Sequence, residues 1–285
     1  MKTYHADMLI PHRCRLGEGP VWDEETQTLY YTDILAGQLR SYSPATGQGD
    51  CIQLNQNLGC FALRKEGGFI LGMSAGIYTR SKDGQRMDKL ARPEWSAMVR
   101  ANDGKCDPEG RFWCGTSDEV EGVCQGGLYV LTPEGVSARL LSGLRCANGL
   151  AFAGDTVYFI DSPRRQVERY TFHPDTLTLT GGEPVIAIDP AHGVPDGMTM
   201  DEEEMLWVAH WGGGFVGRYD PHTGALLARV EVPASQTTSC CFGGSDGKIL
   251  FITTASVGKD EETEAGKVFA VQLPLKGVPC WRFGK

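Results

Sequence analysis

The sequence predicts an all-β protein, a single six-bladed β-propeller domain that occupies residues 1–285. Apolar and polar residues alternate as in half-buried strands, and the long periodicity of helices is absent. A hairpin pattern also recurs roughly every 45 residues, which is the length of a four-stranded propeller blade. The recurring segments begin at Gly17, Gly59, Asn102, Asn148, Asp196 and Ser239.

Matched blade ends support repetition over a chance similarity of hairpins. The first blade ends with residues 38–42 (Gln-Leu-Arg-Ser-Tyr) and a turn at residues 43–47. The fifth ends in the same way, with Phe-Val-Gly-Arg-Tyr at 215–219 before a turn at 220–224. Residues 266–273 are typical of a late strand. Because an unclosed propeller would expose strand edges, we expect the N-terminal residues 1–13 to pair into the last blade.

The composition limits the kinds of partner that the protein can bind and indicates its cellular compartment. The net charge of -9 comes without a Lys/Arg stripe, which argues against nucleic acid and against an anionic membrane surface. No apolar run reaches transmembrane length, the N-terminus lacks an apolar signal core, and the ten cysteines show no paired spacing. These features predict a cytoplasmic protein and indicate no oligomeric state.

One polar position recurs at the start of the first strand in four blades. In a propeller this strand lines the central channel, so side chains that are distant in sequence would converge at one face. The residues are Glu18, Asn102, Asn148 and Asp196. In three of these copies an aspartate follows at the same offset, as Asp23, Asp107 and Asp201.

All four side chains at this position offer oxygen atoms. Oxygen ligands suit Ca²⁺, Mg²⁺ and Mn²⁺, and carboxylates also bind Zn²⁺, so the pattern predicts one divalent metal ion. The alternative is that Asn and Asp before Gly simply form turns. Recurrence at one offset, with a glutamate in one copy, favours the metal site over that alternative.

Further motifs surround these positions, at residues 16–22, 100–105, 107–111, 115–116, 148–152, 195–197, 207–213 and 242–244. Together they resemble the regucalcin (senescence marker protein)/gluconolactonase family over essentially the whole chain. The resemblance implies a propeller with one divalent ion in its channel, bound by Glu18, Asn148 and Asp196. It also implies that Asp196 is the general base and that Arg100 and Asn102 contact a sugar.

A further substrate-contacting glutamate of the family follows the Gly115-Thr116 pair. Val120 fills the expected place here, so Glu119 and Glu121 on either side are the candidates. The implied activity is metal-dependent hydrolysis of a small sugar lactone, with glucono-, galactono-, arabino- and xylonolactone all open. A calcium-binding regulator without catalysis and a protein-binding scaffold are the alternatives.

One rival motif also occurs in the chain. Gly72-Met73-Ser74-Ala75-Gly76 fits the GxSxG pattern of serine hydrolases. That pattern requires a helix after the serine, whereas the residues from Ile77 onward read as another strand. The sequence therefore argues against a serine nucleophile at Ser74.

Overall fold

The computed structural model describes residues 1–91, 95–120 and 122–285. Within these ranges the strands form six sheets, which are the six blades of a β-propeller, and the predicted fold class is confirmed. Short 3-10 turns span Ser162–Arg164 and Pro190–His192. In the same part of the chain, no helix combines the length and the apolar character that a membrane crossing requires.

The strands are numbered in chain order. Two N-terminal strands are β1 (Lys2–His5) and β2 (Asp7–Ile10). Blade 1 contains β3 (Gly17–Asp23), β4 (Thr28–Asp33), β5 (Gln38–Ser43) and β6 (Gln48–Gln53). Blade 2 contains β7 (Leu58–Leu63), β8 (Phe69–Met73), β9 (Gly76–Arg80) and β10 (Met87–Ala91). Blade 3 contains β11 (Val99–Cys106), β12 (Phe112–Asp118), β13 (Gly126–Leu131) and β14 (Ser137–Leu144).

The remaining blades follow the same order from the channel outward. Blade 4 contains β15 (Ala147–Ala153), β16 (Thr156–Asp161), β17 (Gln166–His173) and β18 (Thr178–Ala187). Blade 5 contains β19 (Val194–Met200), β20 (Leu206–Trp211), β21 (Phe215–Tyr219) and β22 (Leu226–Glu231). Blade 6 contains β23 (Thr237–Gly243), β24 (Ile249–Thr254) and β25 (Val268–Gln272).

Apolar side chains pack between neighbouring blades. Trp113 of blade 3 contacts Phe152 and Phe172 of blade 4, with ring centroids 5.1 Å and 4.8 Å away. Trp207 of blade 5 contacts Phe242 of blade 6 at 5.7 Å. Aromatic pairs at these separations add to the stabilisation from burial, so each blade is held by the next one.

The N-terminal strands close the ring. β2 pairs antiparallel with β25 of blade 6, which confirms the expected pairing of the N-terminus into the last blade. β1 differs from that expectation, since it pairs parallel with β22 and adds a fifth strand to blade 5. The N-terminus therefore covers the outer edge of one blade before it completes the next.

The last residues of the chain, 274–285, cross the ends of the inner strands as a C-terminal segment. The Val278 amide donates to the Met200 carbonyl at 3.0 Å, and the Phe283 amide donates to the Leu63 carbonyl at 2.8 Å. Arg282 forms an ion pair with Asp23 at 2.5 Å. The segment thus closes one end of the central channel, on the side where Asp23 and Asp201 lie.

Candidate functional site

The recurring polar residues lie where the inner strands lose their regular register. The β11–β12 ladder skips from Ala101 to Gly104, which leaves Asn102 and Asp103 out of the regular pairing. Equivalent irregularities occur between Ala147 and Leu150, between Pro195 and Met198, and between Glu18 and Val21. A bulge bends the strand and changes the direction of a side chain. These bulges therefore release Asn102, Asn148 and Asp196 from the ladders at one end of the channel, whereas Glu18 is the last paired residue before its bulge.

Two glycines allow neighbouring inner strands to approach closely beside these side chains. A Cβ on Gly197 would lie 2.1 Å from the Ser239 hydroxyl of blade 6. A Cβ on Gly149 would lie 2.6 Å from the Met198 Cβ and 2.8 Å from the Asp196 carbonyl. The close approach of the strands thus requires glycine after Asn148 and after Asp196.

A chain of hydrogen bonds joins blades 3, 4 and 5 across the site. The Arg100 Nη1 donates to the Asn102 Oδ1 at 2.6 Å, and the Asn102 Nδ2 donates to the Asn148 Oδ1 at 2.9 Å. The Asn148 Nδ2 donates to the Ser162 Oγ at 2.7 Å, and that hydroxyl donates to the Pro195 carbonyl at 2.7 Å. In each of the two amides the oxygen accepts a hydrogen bond and the nitrogen donates one, so the hydrogen bonds set the orientation of both amides.

Three carboxylates are buried around this end of the channel, with Glu18 6%, Asp103 5% and Asp196 6% exposed. Burial raises the pKa of Glu18 to about 8, and the Asp103 carboxylate adds to the rise. Burial raises the pKa of Asp196 well above its usual range, and the charges of Glu18 and Asp103 contribute further. We call these three buried acids, Glu18, Asp103 and Asp196, the carboxylate cluster, because their negative charges disfavour one another.

The donor set fits a hard divalent cation. The buried Asp196 Oδ1 and Asp103 Oδ2 have no hydrogen-bond partner in the structure, and an unpaired buried carboxylate oxygen is costly unless a ligand satisfies it. No three Asp, Glu, His or Cys side chains in the described ranges gather as a metal site by themselves. The predicted ligand set differs from such a group because one of its three members is an asparagine amide.

The structure describes one of the two glutamate candidates, Glu119. Glu119 is exposed directly after β12, and its backbone amide donates to the Met98 carbonyl at 2.8 Å. Glu121 lies outside the described residues. Val120 between them is 51% exposed. The structure brings Arg100, Asn102, Asn148 and the carboxylate cluster together, and contact of either glutamate with a substrate stays a prediction.

Sequence reasoning missed three residues of the site, namely Asp103, Lys105 and Ser162. Asp103 stands beside Asn102 in the bulge, and its position before Gly104 was the only signal for it. The Lys105 Nζ donates to the Met198 carbonyl across the channel at 2.6 Å. Ser162 follows β16 and carries no motif, so its contact with Asn148 depends on the fold alone.

Comparison with known proteins identifies the family to which the chain belongs. The model of the SMP-30/gluconolactonase/LRE-like region matches residues 16–256. A regucalcin of Danio rerio is 34% identical over 293 residues, covering 99% of each chain. A pentonolactonase of Haloferax volcanii is 34% identical over 285 residues and covers 96% of each chain.

Solved structures agree with this grouping. A calcium-binding protein from Agrobacterium tumefaciens, described as a regucalcin, superposes with a TM-score of 0.93 at 27% identity. The match covers 99% of this chain and 99% of that one. The likeness therefore extends over all six blades and both termini.

Proposed function

This chain belongs to the SMP-30/gluconolactonase/LRE-like family, and we propose that it hydrolyses a sugar lactone to the corresponding aldonic acid. The observation that carries the proposal is the buried Asp196 carboxylate beside the Arg100–Asn102–Asn148 hydrogen-bond chain, since its Oδ1 has no partner among the described residues. A base with a free oxygen next to fixed polar groups suits attack of water on an ester. The pentonolactonase relative supports a lactone as the substrate class.

Glu18, Asn148 and Asp196 would hold one divalent cation. When bound, such an ion polarises a carbonyl and lowers the pKa of water. Asp196 accepts a proton from the attacking water as general base and returns it to the departing ring oxygen. The hydroxyl of Ser162 accepts from Asn148, which turns the amide oxygen of Asn148 away from Ser162 and toward Asn102.

Arg100 and Asn102 orient the sugar. Arg100 is partly buried and donates to both the Ala101 carbonyl and the Asn102 amide oxygen, which fixes its guanidinium at the mouth of the site. A guanidinium held in this way still has N–H groups that donate to hydroxyls of a lactone. Holding the ring against Asp196 supplies proximity and selectivity between sugars.

The test is a panel of aldonolactones assayed after metal stripping. Glucono-, galactono-, arabino- and xylonolactone are each mixed with the stripped protein, alone and with Ca²⁺, Zn²⁺, Mn²⁺ or Mg²⁺, and acid release is followed. We expect turnover to vanish on stripping and to return with at least one ion. Ser74→Ala is the matched control and should keep full activity, since Ser74 lies in the tight turn between β8 and β9. Full turnover by protein shown to be metal-free would overturn the metal requirement.

A calcium-binding regulator without catalysis is the second candidate. The description of the Agrobacterium protein as calcium-binding favours it. Under that function the protein would bind Ca²⁺ but release no acid from any aldonolactone, with any of the four ions. The same panel, combined with a calorimetric Ca²⁺ titration, therefore separates the two functions.

A further inference from the structure

A lysine crosses the channel directly behind the carboxylate cluster. Lys105 lies on β11 of blade 3, and its Nζ donates to the Met198 carbonyl on β19 of blade 5 at 2.6 Å. Surface lysines usually extend their ammonium group into solvent. This one instead extends between two inner strands and lines a cavity of about 40 Å³, which the C-terminal segment bounds on its other side.

The charges around this cavity do not balance. The carboxylate cluster contributes up to three negative charges, and among the described residues the cations that act on it are Arg100 and Lys105. Arg100 is committed to Asn102 at the mouth, so Lys105 is the cation on the inner side. Burial raises the pKa of Asp103, and the Lys105 ammonium opposes that rise. Asp103 and Lys105 line the same cavity, and among the described residues the Asp103 Oδ2 has no hydrogen-bond partner.

We propose that Lys105 is a positioning residue that acts as an internal counter-ion of the carboxylate cluster and limits its affinity for a divalent cation. Before a cation enters, the ammonium offsets the repulsion between the buried acids and ties blade 3 to blade 5. Once the cation is bound, the same ammonium repels it and weakens its binding. The inference rests on the proposed cation site, though not on lactone turnover.

Removal of the charge gives a result that structural damage would not produce. Lys105→Gln loses the ammonium and keeps an N–H donor on a side chain that is one bond shorter. We expect its affinity for Ca²⁺ or Mn²⁺, measured by calorimetry on stripped protein, to rise by roughly tenfold, equivalent to about 1.4 kcal/mol. Damage to packing would instead weaken binding. The metal-free variant should melt at a lower temperature than the wild type and gain more from added cation.

Two variants serve as controls. Lys105→Arg keeps the positive charge near the cation site. Its affinity for the cation should therefore stay within about twofold of that of the wild type. Lys82→Gln removes one positive charge from an exposed turn of blade 2 and should change nothing, because solvent screens distant surface charges. A rise in affinity in Lys82→Gln equal to that in Lys105→Gln would mean that only net charge matters, which would overturn the inference.

The double variant Asp103→Asn/Lys105→Gln covers the case in which the single variant fails to fold. It removes one charge of each sign, so we expect a folded protein with an affinity close to that of the wild type. Unchanged or weaker affinity in Lys105→Gln, or a large change in the double variant, overturns the inference. If the wild type itself binds no divalent cation, the proposed function fails as well, whereas binding without lactone turnover leaves the inference standing.

Discussion

Asp196 lies near the start of the inner strand β19, Asp201 directly follows the end of that strand, and both are buried. The Asp201 Oδ2 accepts hydrogen bonds from the Trp207 Nε1 at 2.8 Å and the Arg218 Nε at 2.7 Å. Its Oδ1 accepts from the amides of Glu203 and Met205 at 2.9 Å and 3.1 Å. The Asp196 Oδ1, by contrast, has no partner in the structure.

Blade 3 repeats the contrast. The Asp107 Oδ2 accepts from the Trp113 Nε1 at 2.8 Å and from the Arg111 Nε at 2.5 Å, whereas the Asp103 Oδ2 has no partner in the part of the chain that the structure describes. Asp107 and Asp201 lie at the end of the channel that we call the hairpin end, where donors from the same blade satisfy each of these two acids, so each acid stabilises the fold. At the opposite end, which holds the candidate site and which we call the site end, the buried acids repel one another. Proteins tolerate such unfavourable burial of charge mainly at functional sites.

The largest effect that would test this contrast is expected for Asp196→Asn. The substitution removes the proposed general base and a proposed ligand, so we expect lactone turnover to fall by about a thousandfold. The melting temperature of the metal-free protein should stay equal or rise, because one member leaves a repelling cluster. Acid-release kinetics and thermal unfolding measure the two quantities.

Retained turnover together with reduced stability in Asp196→Asn would contradict the proposed difference between Asp196 and Asp201. It would mean that the carboxylate at the site end is structural, as Asp201 is. Asp103→Asn offers a second view of the same cluster and should also leave the metal-free protein no less stable, because its Oδ2 has no partner to lose.

At the opposite end of β19, Asp201→Asn should cost about 3 kcal/mol of unfolding free energy. Removing one partner of a buried charge pair leaves the Arg218 guanidinium without its innermost acceptor. Urea unfolding at constant slope measures the loss. The KM for the lactone in the folded fraction should not change, since Asp201 lies at the far end of the channel from the site.

Glu203→Gln is the matched control for Asp201→Asn. Glu203 pairs with the same Arg218 at 2.6 Å, but its side chain is 65% exposed, so its loss should cost less than about 1 kcal/mol. Equal losses in the two variants would show that burial does not distinguish these acids, and the contrast between the two ends of the strand would lose its basis.

The repeat in the sequence predicted the polar residues at both ends of the inner strands. The shared offset selected Glu18, Asn102 and Asp196 together with the aspartates that follow them, and alternation predicted the strands. The same offset could not distinguish the satisfied acids from the unsatisfied ones. The donors to Asp201 come from Trp207 and Arg218 on the next two strands, and a pattern within one strand carries no information about them.

Other features depend on contacts between distant parts of the chain. In the sequence, nothing distinguishes Lys105 from an ordinary strand residue. Only the closed ring of blades places its ammonium beside the Met198 carbonyl. The parallel pairing of β1 with β22 likewise depends on where the closed ring leaves an open edge. The resemblance to a known family supplied the candidate ligands, and their individual roles stay predictions.

The smallest loss of function is expected for Ser162→Ala, which concerns a fully paired polar group of the site. Ser162 accepts from the Asn148 Nδ2 and donates to the Pro195 carbonyl, both at 2.7 Å. Ser162→Ala frees the amide to rotate, so we expect calorimetric cation affinity to fall by about tenfold, as for other residues that orient a ligand. Ser162→Thr keeps the hydroxyl and should restore most of it. Wild-type affinity in Ser162→Ala would mean that Asn148 needs no such orientation.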